Sequence, residues 1–313
     1  MERSVAMSAL FIPAFYAVVS LLLAPAFPGI INKVKAFFGG KKGPPVLQLY
    51  YDVYKLMHKS STYSRTTTSV TRIAPVAIFF STVGAGLMVP LAFRDSLISF
   101  SGDVILLAYL LGIGRFMMVL AALDTGSAFE GMGASREVLY SALAEPAFFC
   151  GLLVLIHETS EISLSGIFAK LSSEFWQQNP AILFLIAASW MIVLLTENSR
   201  IPVDDPNTHL ELTMIHEVMI LDYSSKDLAM IEYASAYKLV IFASLLVNVI
   251  FSGQGLPIIH QIAAFAGGIL LIAVVIGIVE STIARLRLIH VPKFIVGSGA
   301  LAIIALILKF AGN

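Results

Sequence analysis

The chain has 313 residues, of which 58% are hydrophobic and only 13% are charged, and its mean hydropathy is +0.87. A soluble domain carries about 25% charged residues to cover its surface, so this composition argues against a soluble enzyme, a disordered protein and a nucleic-acid-binding protein. Twenty basic and twenty acidic residues give no net charge, and a single Cys excludes a disulfide framework. We expect one all-α integral membrane domain over residues 1–313.

Eight apolar stretches are long enough to cross a bilayer, whose core of about 30 Å takes about 20 residues as a helix. Their apolar character is continuous, which favours helices over strands, where polarity alternates with period two. Arg3 and Ala24-Pro25-Ala26 imitate a signal peptide, but the first stretch is too long for one, so we expect a retained helix. The predicted spans are 5–28, 73–93, 104–122, 139–156, 181–196, 233–252, 262–279 and 294–311.

Charge predicts the orientation of these spans. The loops that follow spans 1, 3, 5 and 7 hold about 14 Lys and Arg residues, whereas the opposite side holds only Arg3, Arg94, Lys170 and Lys309. The positive-inside rule therefore places these loops in the cytoplasm and both termini on the outer side of the cell membrane. The predicted cytoplasmic loops are 29–72, 123–138, 197–232 and 280–293.

The loop after span 1 contains Lys42-Gly43-Pro44-Pro45 followed by an aromatic segment up to Leu56. Two prolines can begin a helix, and the aromatic spacing then predicts an amphipathic helix on the membrane surface. A bare surface helix and a docking site for a partner are about equally compatible with this pattern.

The loop after span 3 follows Asp124, and its glycine-rich stretch at Gly131–Gly133 predicts a tight connection. Glu145 lies about two turns inside span 4, among apolar residues. An intramembrane carboxylate is costly and suggests an ion or proton path, and burial would raise its pKa. Arg115 in span 3 is the best candidate for its counter-charge.

The loop after span 5 begins with Glu197 and Arg200, which would pair if both lay on one helical face. Pro202 and Pro206 break the helix, and a short amphipathic helix is predicted over 208–221. This loop is acidic and is enclosed by apolar sequence, which favours a functional role over a solvated turn.

Two His-Glu pairs resemble the beginning of a zinc motif but lack its second histidine. His216-Glu217 is followed by Ile220 at the required position, and His157-Glu158 is followed by Glu161. We therefore expect no metal site at either pair.

In order along residues 40–290, these segments resemble the family of NADH dehydrogenase subunit 1, and most closely its branch with formate hydrogenlyase subunit 4 and hydrogenase-4 component C. The resemblance lies in Lys42–Leu56, in Leu123–Glu145, in the loop from Glu197 to Tyr223, and in Glu280 with Ala284–Arg287. Asn207 and His209 stand where the quinone-reducing relatives are more acidic, which favours the hydrogenase branch.

The resemblance implies a non-catalytic membrane subunit that binds no cofactor itself. Its partners would be peripheral hydrogenase large and small subunits, with a nickel–iron site and iron–sulfur clusters, and antiporter-like membrane subunits. The residues implied in ion coupling are Glu145, Glu197, Arg200, Asp204, Glu211, Asp124, Arg136, Glu137, Glu217, Asp222 and Glu280. Those implied in partner docking are Lys42, Gly43, Pro44, Gln48, Asp52, Lys55, Arg285 and Arg287.

Three other functions remain open at this stage. The chain could be the quinone-binding subunit of a respiratory complex, a free-standing cation or proton transporter, or a passive anchor whose charges only hold the partner. The sequence does not identify the electron donor, the electron acceptor or the ion.

Overall fold

A computed structural model describes residues 2–93, 95–171, 173–204, 214–251 and 257–311. Within these ranges the chain forms α-helices and no strand, as predicted. The helices are α1 Glu2–Leu23, α2 Ala26–Phe38, α3 Gln48–Met57, α4 Ser69–Gly86, α5 Asp103–Asp124, α6 Ala128–Thr159, α7 Leu164–Lys170, α8 Ser173–Gln178, α9 Pro180–Glu197, α10 His216–Met219, α11 Ser225–Ile250, α12 Ile258–Thr282 and α13 Val291–Ala311.

Seven of these helices, α4, α5, α6, α9, α11, α12 and α13, are each long and apolar enough to cross a membrane. The segments Phe11–Leu23 and Ala26–Phe38 are together long and apolar enough for an eighth, broken span, with a bend of 46° at the break between them. The prediction of about eight spans is confirmed. The first predicted span, over 5–28, includes the break between α1 and α2, where Pro25 has no backbone N–H with which to continue the helical hydrogen bonds.

Helix α11 forms the centre of the bundle. In its apolar stretch 78% is buried, whereas the corresponding shares are 28% for α12 and 22% for α13. A buried cluster around Phe148, Trp190 and Phe242 joins α11 to α6 and α9. The outward faces of α12 and α13 are apolar, as a lipid-facing surface requires. The ends of α2, α5, α9 and α12 lie at one end of the bundle, which we call the basic face because the predicted basic loops begin there.

The glycine-rich stretch is not the tight connection that we predicted. Helix α6 begins at Ala128, so the stretch lies inside a helix of 32 residues that also covers most of the predicted loop 123–138. A Cβ atom on Gly133 would lie 2.3 Å from Val218 Cγ1 and 2.9 Å from the Ile215 carbonyl oxygen. Gly133 therefore allows the segment around α10 to pack directly on α6.

Two other helix boundaries differ from the predictions. Helix α3 begins at Gln48 and not at the two prolines, and none of its residues is buried, which fits a helix on the surface of the bundle. In place of the helix predicted over 208–221, the described part of that segment contains only α10, His216–Met219. Residues 205–213, which include Glu211, lie outside the described residues.

Candidate functional site: a buried chain of charges

Four charged side chains from four helices form a series that runs from the interior of the bundle to its flank and alternates in sign. The ammonium group of Lys238 (α11) lies 2.9 Å from Glu197 Oε2 (α9) and donates a hydrogen bond of 2.6 Å to the Glu197 carbonyl oxygen. Arg115 (α5) lies 3.3 Å from the same Glu197 Oε2 and also pairs with Glu145 Oε1 (α6). We call the series Lys238–Glu197–Arg115–Glu145 the central chain.

Burial makes the pairing in this chain energetically necessary. The side chain of Glu197 is only 4% exposed, and that of Arg115 is 14% exposed. An unpaired charge at such a position is strongly destabilising, because its loss of hydration is not compensated. Since Glu197 is shared by two cations and Arg115 by two carboxylates, a change in the charge of one member alters every pair.

Arg115 is confirmed as the counter-charge of Glu145, but Glu145 is not buried as the sequence suggested. Its side chain is 46% exposed and lines a pocket of about 470 Å³ on the flank of α5 and α6. The rest of the pocket wall is mostly apolar and aromatic, including Tyr109 and Phe116. One end of the central chain therefore reaches the lateral surface of the bundle.

The predicted pair between Glu197 and Arg200 was wrong. Helix α9 ends at Glu197, so the two residues do not share a helical face. Arg200 instead lies 3.5 Å from Glu280 Oε1 at the end of α12, and Lys35 of α2 lies 2.8 Å from Glu280 Oε2. This second cluster joins α2 and α12 to the loop after α9.

Asp204 belongs to a third ion pair at the basic face. Its Oδ1 lies 2.7 Å from Arg285 Nη2, and its Oδ2 accepts a hydrogen bond of 2.9 Å from the Ile215 amide. Asp204 thus fixes α10 and the loop after α12 relative to each other. Arg287, two residues beyond Arg285, is exposed.

Two further cavities lie near the lateral pocket, and each shares wall residues with the next. The first, of about 310 Å³, is open to the basic face and is lined by Asp52, Glu217 and Glu232 among others. It shares His216 and Asn198 with a second cavity of about 60 Å³, which in turn shares Arg115 and Glu197 with the lateral pocket. Residues of the central chain thus lie in the walls of the second cavity and of the lateral pocket.

Two ionisable groups at the first cavity have shifted pKa values. Burial, together with the positive charges of Lys238 and Arg200, lowers the pKa of His216 to about 4, so its imidazole is neutral at pH 7. Burial, reinforced by the carboxylates of Glu232 and Asp204, raises the pKa of Glu217 to about 7. Glu217 can therefore gain or lose a proton near neutral pH.

The other residues predicted for coupling lie apart from the central chain or at its edge. Glu137 lines the second cavity, and Arg136 donates a hydrogen bond of 3.0 Å to the Met214 carbonyl oxygen. Asp222 lies on the basic face, exposed, beside a polar cavity of about 300 Å³. Asp124 binds the beginning of α4, where its carboxylate accepts hydrogen bonds from Thr68 and Thr71.

The residues predicted for partner docking lie in two segments of the basic face, one around α3 and one after α12. Lys42, Gly43, Pro44 and Lys55 are exposed. Gln48 donates hydrogen bonds of 3.0 and 3.1 Å to both carboxylate oxygens of Asp52, and Arg285 is held in its pair with Asp204.

Sequence reasoning missed Lys238 and did not assign Lys35 to a pair. A signal for Lys238 was present, because the predicted spans contain only Arg115, Lys238 and, near the end of the last span, Lys309 as Lys or Arg residues. A basic residue deep within a span normally has a partner in the bundle interior. No comparable signal distinguished Lys35 from the other lysines of its loop.

The fold and the site define a polytopic membrane protein with a buried network of ion pairs. A family model described as NADH dehydrogenase matches residues 11–310. Hydrogenase-4 component C of Escherichia coli (strain K12) is 31% identical over 282 residues, which cover 88% of each chain. Formate hydrogenlyase subunit 4 of the same organism is 30% identical over 302 residues, covering 92% of this chain and 94% of the relative. The chain therefore belongs to the NADH dehydrogenase subunit 1 family.

More distant similarity extends to respiratory complexes. One NADH-quinone oxidoreductase subunit of Orientia tsutsugamushi (strain Ikeda) is 24% identical over 251 residues, covering 77% of this chain and 70% of the relative. A chain of the membrane-bound sulfane sulfur reductase, an archaeal respiratory membrane complex, has the same fold, with a TM-score of 0.82 and 21% identity over 96% of this chain and 99% of that one. The protein is thus a membrane subunit related to those of hydrogenase-4, formate hydrogenlyase and complex I.

Proposed function

We propose that this chain is the membrane-anchor and coupling subunit of a multisubunit hydrogenase-type complex, of the group 4 nickel–iron class. A peripheral arm with iron–sulfur clusters would dock on its basic face, and electron transfer there would drive H⁺ or Na⁺ movement in the membrane. The observation that carries this proposal is the central chain, which runs without a break from Lys238 to the lateral pocket at Glu145. The similarity to two hydrogenase-associated subunits supports it.

The geometry supports coupling because the pairs share members. Arg115 binds Glu145 and Glu197 at once, so neutralising either carboxylate strengthens its attachment to the other. Glu217, whose pKa lies near 7, lines the first cavity together with His216 and Arg200. A change in its protonation therefore changes the charge beside these two residues. A charge change at the basic face would thereby reach the lateral pocket through small movements of paired side chains.

The basic face supplies the surface for the peripheral arm. Lys42, Lys55 and Arg287 are exposed on the segments beside α3 and after α12. The first cavity lies beside α3, whose Gln48 and Asp52 are in its wall. A partner bound there would cover the cavity and control access to Glu217. Antiporter-like subunits would lie against the lateral pocket, where Glu145 reaches the surface.

Purification of the native complex tests the proposal. The chain is extracted from its own membrane in mild detergent, and the proteins that accompany it are identified by mass spectrometry. We expect a nickel–iron hydrogenase large subunit, iron–sulfur proteins and antiporter-like subunits in fixed proportion. Recovery with NADH-oxidising subunits would contradict the hydrogenase assignment, and recovery of the chain alone would contradict the role as a subunit.

A quinone-binding role is the second candidate, and one cavity favours it. A space of about 390 Å³ lined by apolar side chains, among them Phe27, Phe265 and Ile269, lies between α1, α2, α11 and α12. Its size is within the range of small-molecule sites. A quinone analogue that inhibits the purified complex, with relief by Phe265→Trp, would support this role. Unchanged electron transfer at a saturating concentration of the analogue would reject it.

A further inference from the structure

The second cavity contains a buried carboxylate that lacks a partner. Glu137 of α6 lines this space of about 60 Å³ and is only 9% exposed. Its carboxylate makes no hydrogen bond or ion pair with any residue that the structure describes. Lys238, Glu197, Arg115 and Asp204 act on it only from a longer distance.

The charges around Glu137 are not balanced. Both nearby cations of the central chain are already engaged, because Lys238 binds Glu197, and Arg115 binds Glu197 and Glu145. Three carboxylates therefore share two cations, which leaves one negative charge in excess. A buried excess charge is unfavourable unless a counter-ion or a proton joins it.

The other ionisable groups in or near the cavity wall supply no counter-charge. Asp204 is negative and is paired with Arg285. His216 is neutral at pH 7, because its pKa is lowered to about 4. The missing positive charge must therefore come from outside the described side chains.

Oxygen atoms suited to a small cation surround the same cavity. The buried Oδ1 of Asn198 has no hydrogen-bond partner among the described residues, because its amide nitrogen is directed to the Leu194 carbonyl oxygen at 2.8 Å. Thr82, Ser199 and Ser235, each of which carries a hydroxyl group, also line the space. Thr82 donates its proton to a carbonyl oxygen of its own helix, so its lone pairs remain free to accept.

We propose that this cavity binds a single Na⁺ ion, held by the Glu137 carboxylate with the Asn198 side-chain oxygen and the hydroxyl groups around it. Oxygen-only ligands suit hard cations. The excess of one charge and the nearby cations Lys238 and Arg115 favour a monovalent ion over a divalent one. The volume is well above the roughly 15 Å³ that one water needs, so the ion can retain a water ligand. The use of this ion for coupling rests on the proposed function, whereas its binding does not.

The test measures bound ²²Na⁺ on the detergent-purified complex at pH 8, where protons compete least, with choline chloride to hold the ionic strength constant. We expect Glu137→Gln to lose one bound Na⁺ per chain relative to the unmodified complex. Glu158→Gln is the matched control, since Glu158 is a buried carboxylate on the same helix that pairs with Lys309 at 3.0 Å, away from the cavity. This variant should keep the ion.

A milder pair of variants tests the ligands in a complex whose charges are intact. Ser235→Ala removes one hydroxyl from the cavity and should raise the half-saturating Na⁺ concentration about tenfold. Ser244→Ala removes a buried hydroxyl from the same helix, one that donates to the Val240 carbonyl oxygen, and should leave that concentration unchanged.

Equal Na⁺ stoichiometry in the unmodified complex and in Glu137→Gln would overturn the site and would mean that Glu137 carries a proton. Equal half-saturation in the two serine variants would overturn the ligand assignment. Both measurements record Na⁺ binding and do not require electron transfer through the complex. A failure of ion binding is thus distinguishable from a failure of the coupling role, which shows only when electron transfer drives transport.

Discussion

Glu197 and Asp124 were both predicted to take part in ion coupling, but their carboxylates have different surroundings. Glu197 is enclosed by two cations from two other helices, Lys238 at 2.9 Å and Arg115 at 3.3 Å. Asp124 is held by neutral donors, namely the amide and hydroxyl of Thr68 and the hydroxyl of Thr71, at 2.7 to 2.8 Å.

The difference separates a carboxylate that can transmit charge from one that fastens a helix. Neutral donors at the N-terminus of α4 stabilise the ionised form of Asp124 and connect α5 to α4. Nothing in that arrangement responds to a charge elsewhere. Around Glu197 each cation is part of another interaction, so the network has alternative pairings. Arg115→Leu tests the charged region, and Gly133→Ala and Asp124→Asn test neutral contacts. Glu217→Gln tests the first cavity.

The largest effect is expected for Arg115→Leu. The substitution leaves Glu145 and Glu197 without their shared cation, and breaking a buried pair costs about 3–5 kcal/mol. We expect a marked loss of thermal stability in the purified complex, measured as the temperature of half-unfolding. Adding Glu145→Gln to Arg115→Leu should restore part of the loss. If Arg115→Leu were as stable as the unmodified chain, the central chain would not be a buried ion-pair network.

A smaller effect is expected at the neutral contact between α6 and α10. Gly133→Ala forces a Cβ atom to within 2.3 Å of Val218 Cγ1 and 2.9 Å of a backbone oxygen, and overpacking of this kind costs about 1–3 kcal/mol. Gly131→Ala is the matched control, because a Cβ atom there meets nothing within 4 Å and alanine favours a helix. Thermal unfolding should separate the two variants, and equal stability would contradict the close packing.

Asp124→Asn should have a more modest effect than either of these. Asparagine keeps one acceptor for the beginning of α4 but loses the charge, which we expect to lower stability by about 1 kcal/mol. Ion movement per electron should be unchanged in membrane vesicles. A loss of ion movement with normal stability would place Asp124 in the coupling path and would remove the distinction drawn above.

A pH dependence of stability is expected at Glu217. Its pKa is raised to about 7 in the folded protein, so the folded state holds a proton that the unfolded state releases above about pH 4.5. Stability therefore falls as pH rises from about 5 to 7 and then levels off. Glu217→Gln should remove this fall, with a difference in Tm below about 4 °C between pH 5 and pH 8. Parallel pH profiles in the two proteins would contradict the raised pKa.

The sequence predicted the membrane spans and one ion pair because each leaves a local signal. Apolar length marks a span, and ionisable residues of opposite charge within two successive spans suggest the pair of Glu145 with Arg115. The pair of Glu197 with Arg200 was wrong because spacing within a chain does not reveal where a helix ends. Lys238 was missed although it is one of the few basic residues within the predicted spans, and the role of Gly133 depends on a segment more than 80 residues away.

The most direct test of the central claim measures ion movement against electron transfer in inverted membrane vesicles that contain the complex with Glu145→Gln. Glu158→Gln on the same helix is the control. The account predicts that Glu145→Gln retains electron transfer, followed with an artificial dye, and loses most of the ion gradient, followed with a pH-sensitive dye and with ²²Na⁺. An unchanged gradient per electron in Glu145→Gln would contradict the coupling role and would leave the chain as an anchor only.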